Sequence, residues 1–307
     1  MSNDFILHHY ENSPYAEKIR LMFGLTGSRW ASLQSPPWPP RPNVDPLSGG
    51  YRRIPIAQLG ADVFCDTALI AREVADLTGQ SSLDPQNASS KARELMDLAE
   101  TKGFFSAIVA LPASKLLGTV LRSFGPIGAY RFIKDRSGIM KGGTSRAPTA
   151  DDARQVMQQL FAALDARLSE CEWVDGDAPS IADFSTYHPI WLHLNCGGRL
   201  PSEMAKLRAW FERVGEIGQG DRKEISRDDA FASARDAAPR ALPPSEDDGE
   251  SELGGSVQVA PCDYGVVPVS GTLVARTADR IVIARETPEF GTLHVHFPNS
   301  GYRVSPC

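Results

Sequence analysis

The chain has little cysteine: five residues in 307, Cys65, Cys171, Cys196, Cys262 and Cys307, an odd number with no C-x-x-C spacing. That excludes a disulfide framework as the basis of the fold and a thiolate zinc site, and it fits a reducing cytoplasm. Long hydrophobic runs are also missing. No stretch approaches the ~18 uncharged apolar residues of a membrane span, and the apolar run in "MSNDFILHHY" is too short for a secretory signal. A soluble, membrane-free protein is expected. Nor is there an excess of basic charge. Lysine and arginine total 32 against 38 acidic residues, a net charge of −6, and they are scattered along the chain, so no nucleic-acid partner is indicated. What remains is small-molecule chemistry or protein contacts.

Metal-ligating patterns are sparse. "HH" (His8, His9) and "HVH" (His294, His296) invite a metal reading, because alternate strand residues share a face and two imidazoles can converge. No carboxylate or third histidine stands at ligand spacing nearby, so no metal is expected.

Proline is plentiful, with 23 residues, and its placement is informative. In "NSPYAEKIRL", Ser13 and Pro14 stand ahead of a helical pattern. A serine N-cap accepts from the first free N–H groups, and proline at the first helical position has no N–H to lose. Helix capping therefore explains Ser13 without any ligand. Around it, "FILHHY" reads as a strand, "PYAEKIRLMFGLTG" as a helix with a glycine stop, and "RWASLQ" as a second strand, which makes a βαβ unit with a parallel pair. "SPPWPPRPNVDP", with six prolines, forbids a regular helix and is read as a stiff loop rather than an exported ligand motif. "RIPIAQLGADVFCDT" gives two strand-like runs turning at "GAD", and "TALIAREVADLTG" a further helix.

From residue 88 to about 235 the pattern becomes helical, around "SKARELMDLAETKGFFSAIVAL", "PTADDARQVMQQLFAALDARLSEC", "SIADFSTYHPIWLHL" and "EMAKLRAWFERVGEIG". "APSIADF" carries a capping box, Ser180 with Asp183, and Pro189 inside the helix that follows is expected to kink it. Residues 236–256 read as a proline-, acid- and glycine-rich linker. Beyond it, "GTLVAR", "RIVIAR" and "TLHVHF" suggest a small antiparallel β module over 257–307. It is expected as a separate unit that packs on the rest of the chain or on a partner subunit, because three strands alone are marginal.

Taken in order, β-α-β, loop, X-Pro before a hairpin, helix, then a helical domain with a capping box, residues 4 to 235 resemble a cytosolic glutathione transferase of the serine type. The resemblance implies α/β plus all-α architecture: a thioredoxin-like glutathione-binding domain over 1–80, a helical bundle over 88–235, and the β extension as an addition. It implies glutathione as co-substrate, a small apolar electrophile as second substrate, and a homodimer. Residue by residue, it sets Ser13 against the glutathione sulfur, with Tyr10 as the rival hydroxyl. It sets Ile54 and a cis Pro55 against the cysteinyl backbone, Asp66 and Thr67 against the γ-glutamyl group, and Arg53 against the glycyl carboxylate. Phe104, Phe105 and Trp191 are placed along the second-substrate cleft. A hydroxyl at the sulfur and a helix N-terminus both favour thiolate. The chain departs from the family in three respects: Thr67 replaces the usual serine, the proline-rich loop replaces a glycyl-end segment, and no cysteine at position 13 allows mixed-disulfide chemistry. Against the enzyme stands a non-catalytic binding protein on the same fold. The added β module is expected to cover the cleft or a subunit interface.

Overall fold

The computed structural model describes residues 4–244 and 253–307; residues 245–252 of the expected linker lie outside the described residues. In chain order the first unit is β1 (Phe5–His9), α1 (Pro14–Thr26), β2 (Arg29–Gln34), a short α2 (Asp45–Ser48), β3 (Ile56–Leu59), β4 (Asp62–Cys65) and α3 (Thr67–Thr78). β1 and β2 pair in parallel, while β3 joins β1 and β4 joins β3 antiparallel. This is the thioredoxin-like arrangement. Ser13 caps α1, its Oγ accepting from Ala16 N at 3.2 Å, and Gly27 closes the helix in the left-handed region. The Ile54–Pro55 bond is cis, and so is Pro39–Pro40 in the proline-rich loop.

The helical part comprises α4 (Ser90–Asp97), a π-helical segment at Leu98–Gly103, α5 (Phe104–Val109), α6 (Ala113–Ser137), α7 (Ala150–Glu170), α8 (Ile181–Asn195) and α9 (Ala205–Glu216). The run expected as one helix at "SKARELMDLAETKGFFSAIVAL" is thus interrupted by the π segment. A helix at α6 is absent from the sequence reading, since Gly118, Gly125, Pro126 and Gly128 obscure its period, and Gly125 does leave helical geometry within it. α8 carries Pro189 and continues through it as one helix, and its capping box is present in both directions. Asp183 is fully buried. Its Oδ1 accepts from Val174 N at 2.9 Å and Trp210 Nε1 at 2.8 Å, and its Oδ2 from Ser180 N at 2.9 Å, which ties α8 to α9.

Beyond α9 the chain returns to the sheet. β5 (Asp221–Glu224) adds to β2 in parallel, and α10 (Arg227–Arg235) follows. The extension then forms β6 (Ser256–Pro261), β7 (Val269–Arg276), β8 (Arg280–Thr287), β9 (Gly291–Pro298) and β10 (Tyr302–Pro306). The three expected strands are present, with β6 and β10 in addition. Their relation to the rest differs from the expected separate module. β9 pairs in parallel with β4, so the described strands make one ten-stranded sheet in the order β10-β6-β7-β8-β9-β4-β3-β1-β2-β5. The reason lies in β4. Phe64 faces the main core, shared with α1, α3 and the helical domain, whereas Val63 and Cys65 join Val295, Phe297, Ile281 and Ile283 in a second core. Without the extension, that second apolar face of β4 and a sheet edge would both be left to water. No single described helix is long and apolar enough to cross a membrane.

Candidate glutathione site

The two histidine pairs resolve differently. His8 and His9 are consecutive on β1 and project to opposite faces, so they do not converge. His8 Nε2 pairs with Gln58 Oε1 at 2.9 Å. Arg20 Nη1 donates to His9 Nδ1 at 3.0 Å, leaving Nε2–H to donate to Ser32 Oγ at 2.9 Å, and Ser32 Oγ donates to Glu224 Oε2 at 3.0 Å. Burial lowers the His8 pKa to about 4 and, with Arg20 beside it, the His9 pKa to about 3. Both are neutral structural groups at pH 7. His294 and His296 do share a face of β9, and here the expectation that no carboxylate stands near is corrected. β4 lies alongside in parallel and brings Asp62, more than two hundred residues earlier in the chain, to 2.7 Å from His296 Nε2. Sequence spacing cannot show a neighbour supplied by strand pairing.

A cavity of about 230 Å³ opens at the carboxyl end of β4, where α3 begins. Six residues marked in the sequence meet there: Arg53, Ile54, Pro55, Asp66, Thr67 and Phe105. Asp66 caps α3, its Oδ1 accepting from Ala68 N at 3.1 Å, and it holds φ 80°, a conformation rare outside glycine. Its other oxygen accepts from Arg53 Nη1 at 3.2 Å and from the Tyr302 hydroxyl at 3.0 Å. Thr67 begins α3, so the cavity lies at a helix N-terminus that favours a carboxylate.

Most of the other wall comes from residues the sequence did not mark. The π segment turns Glu100 and Thr101 into the cavity, a use of π geometry common at functional sites. Phe105 on α5 and Tyr15 on α1 line it as well. From the loop between β6 and β7 come Asp263 and Tyr264. Asp263 pairs with Arg53, and the Arg53 guanidinium lies 4.1 Å over the Tyr264 ring. Tyr264 meets Phe105 edge-on with centroids 5.3 Å apart. That loop is fastened to the strand-free segment after α6: Thr144 N donates to Cys262 O at 2.9 Å and Ser145 N to Asp263 O at 3.0 Å. Burial, then the hydrogen bond and charge of Tyr264, push the Tyr15 phenol well above its ordinary pKa, so it is an O–H donor at every physiological pH.

Ser13, Tyr10, Phe104 and Trp191 are not among the residues lining the cavity. Ser13 is buried, its Oγ accepting from Ala16 N in the α1 cap, and Tyr10 supplies the carbonyl that accepts from Ser13 N at 3.1 Å. Phe104 stands behind the cavity, its ring 4.8 Å from that of Tyr15. Trp191 packs against the main core. Of the aromatic residues expected along a second-substrate cleft, Phe105 reaches the cavity. Tyr15 sits inside the quoted stretch "NSPYAEKIRL" and was readable as a helix residue only. Asp263 and Tyr264 had no local signal at all.

Residues 7–82 match the family model described as "Glutathione S-transferase, N-terminal domain", and residues 120–217 match "Glutathione S-transferase, C-terminal domain". The chain belongs to the glutathione S-transferase family, with both of its domains and a C-terminal β extension. Among solved structures it is similar to a GST-like protein from Pseudomonas syringae, at 29% identity and TM-score 0.75, over 98% of this chain and 99% of that one. That match runs through the extension as well as the two domains. A glutathione S-transferase from Sinorhizobium meliloti 1021 is 17% identical with TM-score 0.48, over 69% of this chain and 87% of that one. One from Xylella fastidiosa is 17% identical with TM-score 0.45, over 69% and 96%. No curated protein matches the chain.

Proposed function

We propose that the chain is a glutathione-dependent transferase whose cavity holds the tripeptide and directs its sulfur at a small apolar electrophile. The observation that carries this reading is the meeting of Arg53, Ile54, Pro55, Asp66 and Thr67 on one cavity at the N-terminus of α3. The helix terminus and the Thr67 hydroxyl suit the γ-glutamyl carboxylate, Asp66 its ammonium, and Ile54 beside Pro55 the cysteinyl backbone. Arg53, bonded to Asp66 and Asp263, stands between the two acids as the cation for a carboxylate. The sulfur then attacks an electrophilic carbon. A C–S bond forms, and the displaced group leaves with the electron pair of the bond that breaks.

Two hydroxyls compete to stabilise the thiolate. Ser13 has the place the family resemblance implies, at the start of α1. Tyr15, one helical step further, has its phenol in the cavity wall. We assign the donor to Tyr15, because Tyr15 lines the cavity and Ser13 does not. Turnover of an aryl or alkyl halide with glutathione tests the choice. Tyr15→Phe is expected to lower kcat/KM by roughly 100-fold, the range for one lost donor to developing charge, with Ser13→Ala changing it little beyond its stability cost. The reverse ranking reassigns the role to Ser13. The cleft for the electrophile adjoins Phe105, and a cytoplasmic homodimer accompanies this reading; sedimentation measures the latter.

One observation favours a second reading, a binding protein without turnover. Asp263 and Tyr264 occupy Arg53 from the extension side, and the cavity, at about 230 Å³, is smaller than the ~300 Å³ where ligand pockets usually begin. Glutathione then enters only if the 262–264 loop yields. Calorimetric titration with glutathione separates the two: binding with turnover supports the enzyme, binding without it the second reading.

A further inference from the structure

We propose that Asp62, His294 and His296 form a binding site for one divalent transition-metal ion of the zinc class, at the seam where the extension joins the thioredoxin-like sheet. The site is separate from the cavity and does not depend on the reading given for it. Strand register makes it. Asp62 on β4 stands opposite His294 on β9, with Phe64 opposite His296, so the carboxylate and both imidazoles rise from one face of a parallel pair.

The distances suit an ion. Asp62 Oδ1 lies 2.7 Å from His296 Nε2 and 3.9 Å from His294 Nδ1, and the three ligand atoms are all within 4.8 Å of one another. Bonds of ~2.0–2.1 Å in tetrahedral geometry set ligand atoms roughly 3.3 Å apart, a value the two measured separations bracket. The donor set selects the ion class: two imidazoles and a carboxylate with no thiolate favour a borderline ion over calcium or magnesium, and over copper(I).

A structural hydrogen bond accounts for Asp62 and for His296 Nε2 but leaves His296 Nδ1 buried without a partner among the described residues, and leaves His294 unexplained. Its Nδ1 is buried without a partner among the described residues and points at the carboxylate. Such an orphan costs stability unless something occupies it. The surroundings support a fixed ligand. Arg240 N donates to Asp62 Oδ2 at 2.9 Å and so orients the carboxylate, leaving Oδ1 for the ion. The imidazole of His296 stacks on Phe64 with centroids 4.6 Å apart, which holds its ring plane. Two guanidiniums stand nearby: Arg240 and Arg280 share Glu73, and Arg240, with its side chain 41% exposed, lies 3.7 Å from Asp62 Oδ2, the oxygen turned away from the ion. Three protein ligands leave a fourth position for water. The ion would cross-link β4 to β9, the one pairing that connects the extension strands to the rest of the described sheet.

The test uses the full-length, tag-free chain stripped with a chelator and titrated with Co²⁺ and then Zn²⁺. One equivalent of Co²⁺ is expected to bind with visible d–d absorption and no thiolate charge-transfer band, Zn²⁺ is expected to displace it, and the thermal midpoint to rise with the ion and fall again with chelator. His294→Ala and the isosteric Asp62→Asn are each expected to weaken binding by at least roughly 100-fold. Absence of one-equivalent binding in the wild type, a thiolate band, or affinity unchanged in both variants overturns the proposal. Should either variant fail to fold, the wild-type stoichiometry and spectrum decide alone.

Discussion

Asp183 illustrates how much one side chain holds. It is a buried carboxylate with two backbone donors, the Ser180 hydroxyl and an indole donor, bridging the start of α8, the segment at Val174 and α9. Asp183→Ala takes the acceptor from all four donors. A loss of about 3 kcal/mol or more is expected by denaturant titration, with the midpoint lowered and the m-value kept. The histidines carry a pH signature. In the unfolded chain His8 and His9 take protons near pH 6.5, but in the folded protein only near about 4 and about 3. Between those values the unfolded state binds more protons, so stability is full above pH 6.5 and falls as pH drops toward 4. For His8 alone the loss is on the order of 3 kcal/mol, readable as a declining thermal midpoint. A midpoint flat from pH 7 to 4.5 contradicts it. The sequence showed both histidines on a strand. It did not show that they are buried, since Gln58, Ser32 and Arg20 approach from other elements.

At the scale of elements, legibility followed locality. The βαβ unit, the X-Pro before the hairpin and the α8 capping box each depend on residues within one or two turns, and each is present. α6 was missed because glycine and proline interrupt its pattern and because it buries little beyond Ala129, so no apolar stripe reports it. The π segment was missed because one inserted residue leaves composition unchanged while turning Glu100 and Thr101 toward the cavity. The contact between the 142–145 segment and the 262–264 loop offers a test. A methyl added at Gly143 would meet the Asp263 carbonyl at a separation far below van der Waals contact, and both atoms are on backbone. Gly143→Ala is therefore expected to displace the loop, move Tyr264 off Arg53, and change ligand affinity together with a loss of stability, since backbone must shift. Tyr264 fluorescence quenching and glutathione titration read the two effects; if both are as in wild type, the loop does not gate the cavity.

For the whole molecule, the extension changes what the family fold presents. It continues the sheet, covers the second face of β4, and sends Tyr264, Asp263 and Tyr302 to Arg53 and Asp66. That the extension would pack on the rest of the chain and cover the cleft or an interface was an expectation, but its pairing with β4 and the residues it sends to the cavity were not visible in its strand patterns, because a strand does not announce its partner. Truncation before β6 is expected to expose the Val63 and Cys65 face, to lower solubility and stability together, and to open the cavity; dye binding and thermal melting check it. A truncated chain as stable as the full one would mean that the second core contributes nothing.

The central claim is that the cavity at the start of α3 binds glutathione. The direct measurement is calorimetric titration of the full-length chain with glutathione, alongside Asp66→Ala and Arg53→Ala. Saturable binding in the wild type, weakened at least tenfold by Asp66→Ala, an expected loss of roughly 1.4 kcal/mol or more, is the predicted result. No binding at millimolar glutathione, or binding indifferent to both substitutions, would contradict it.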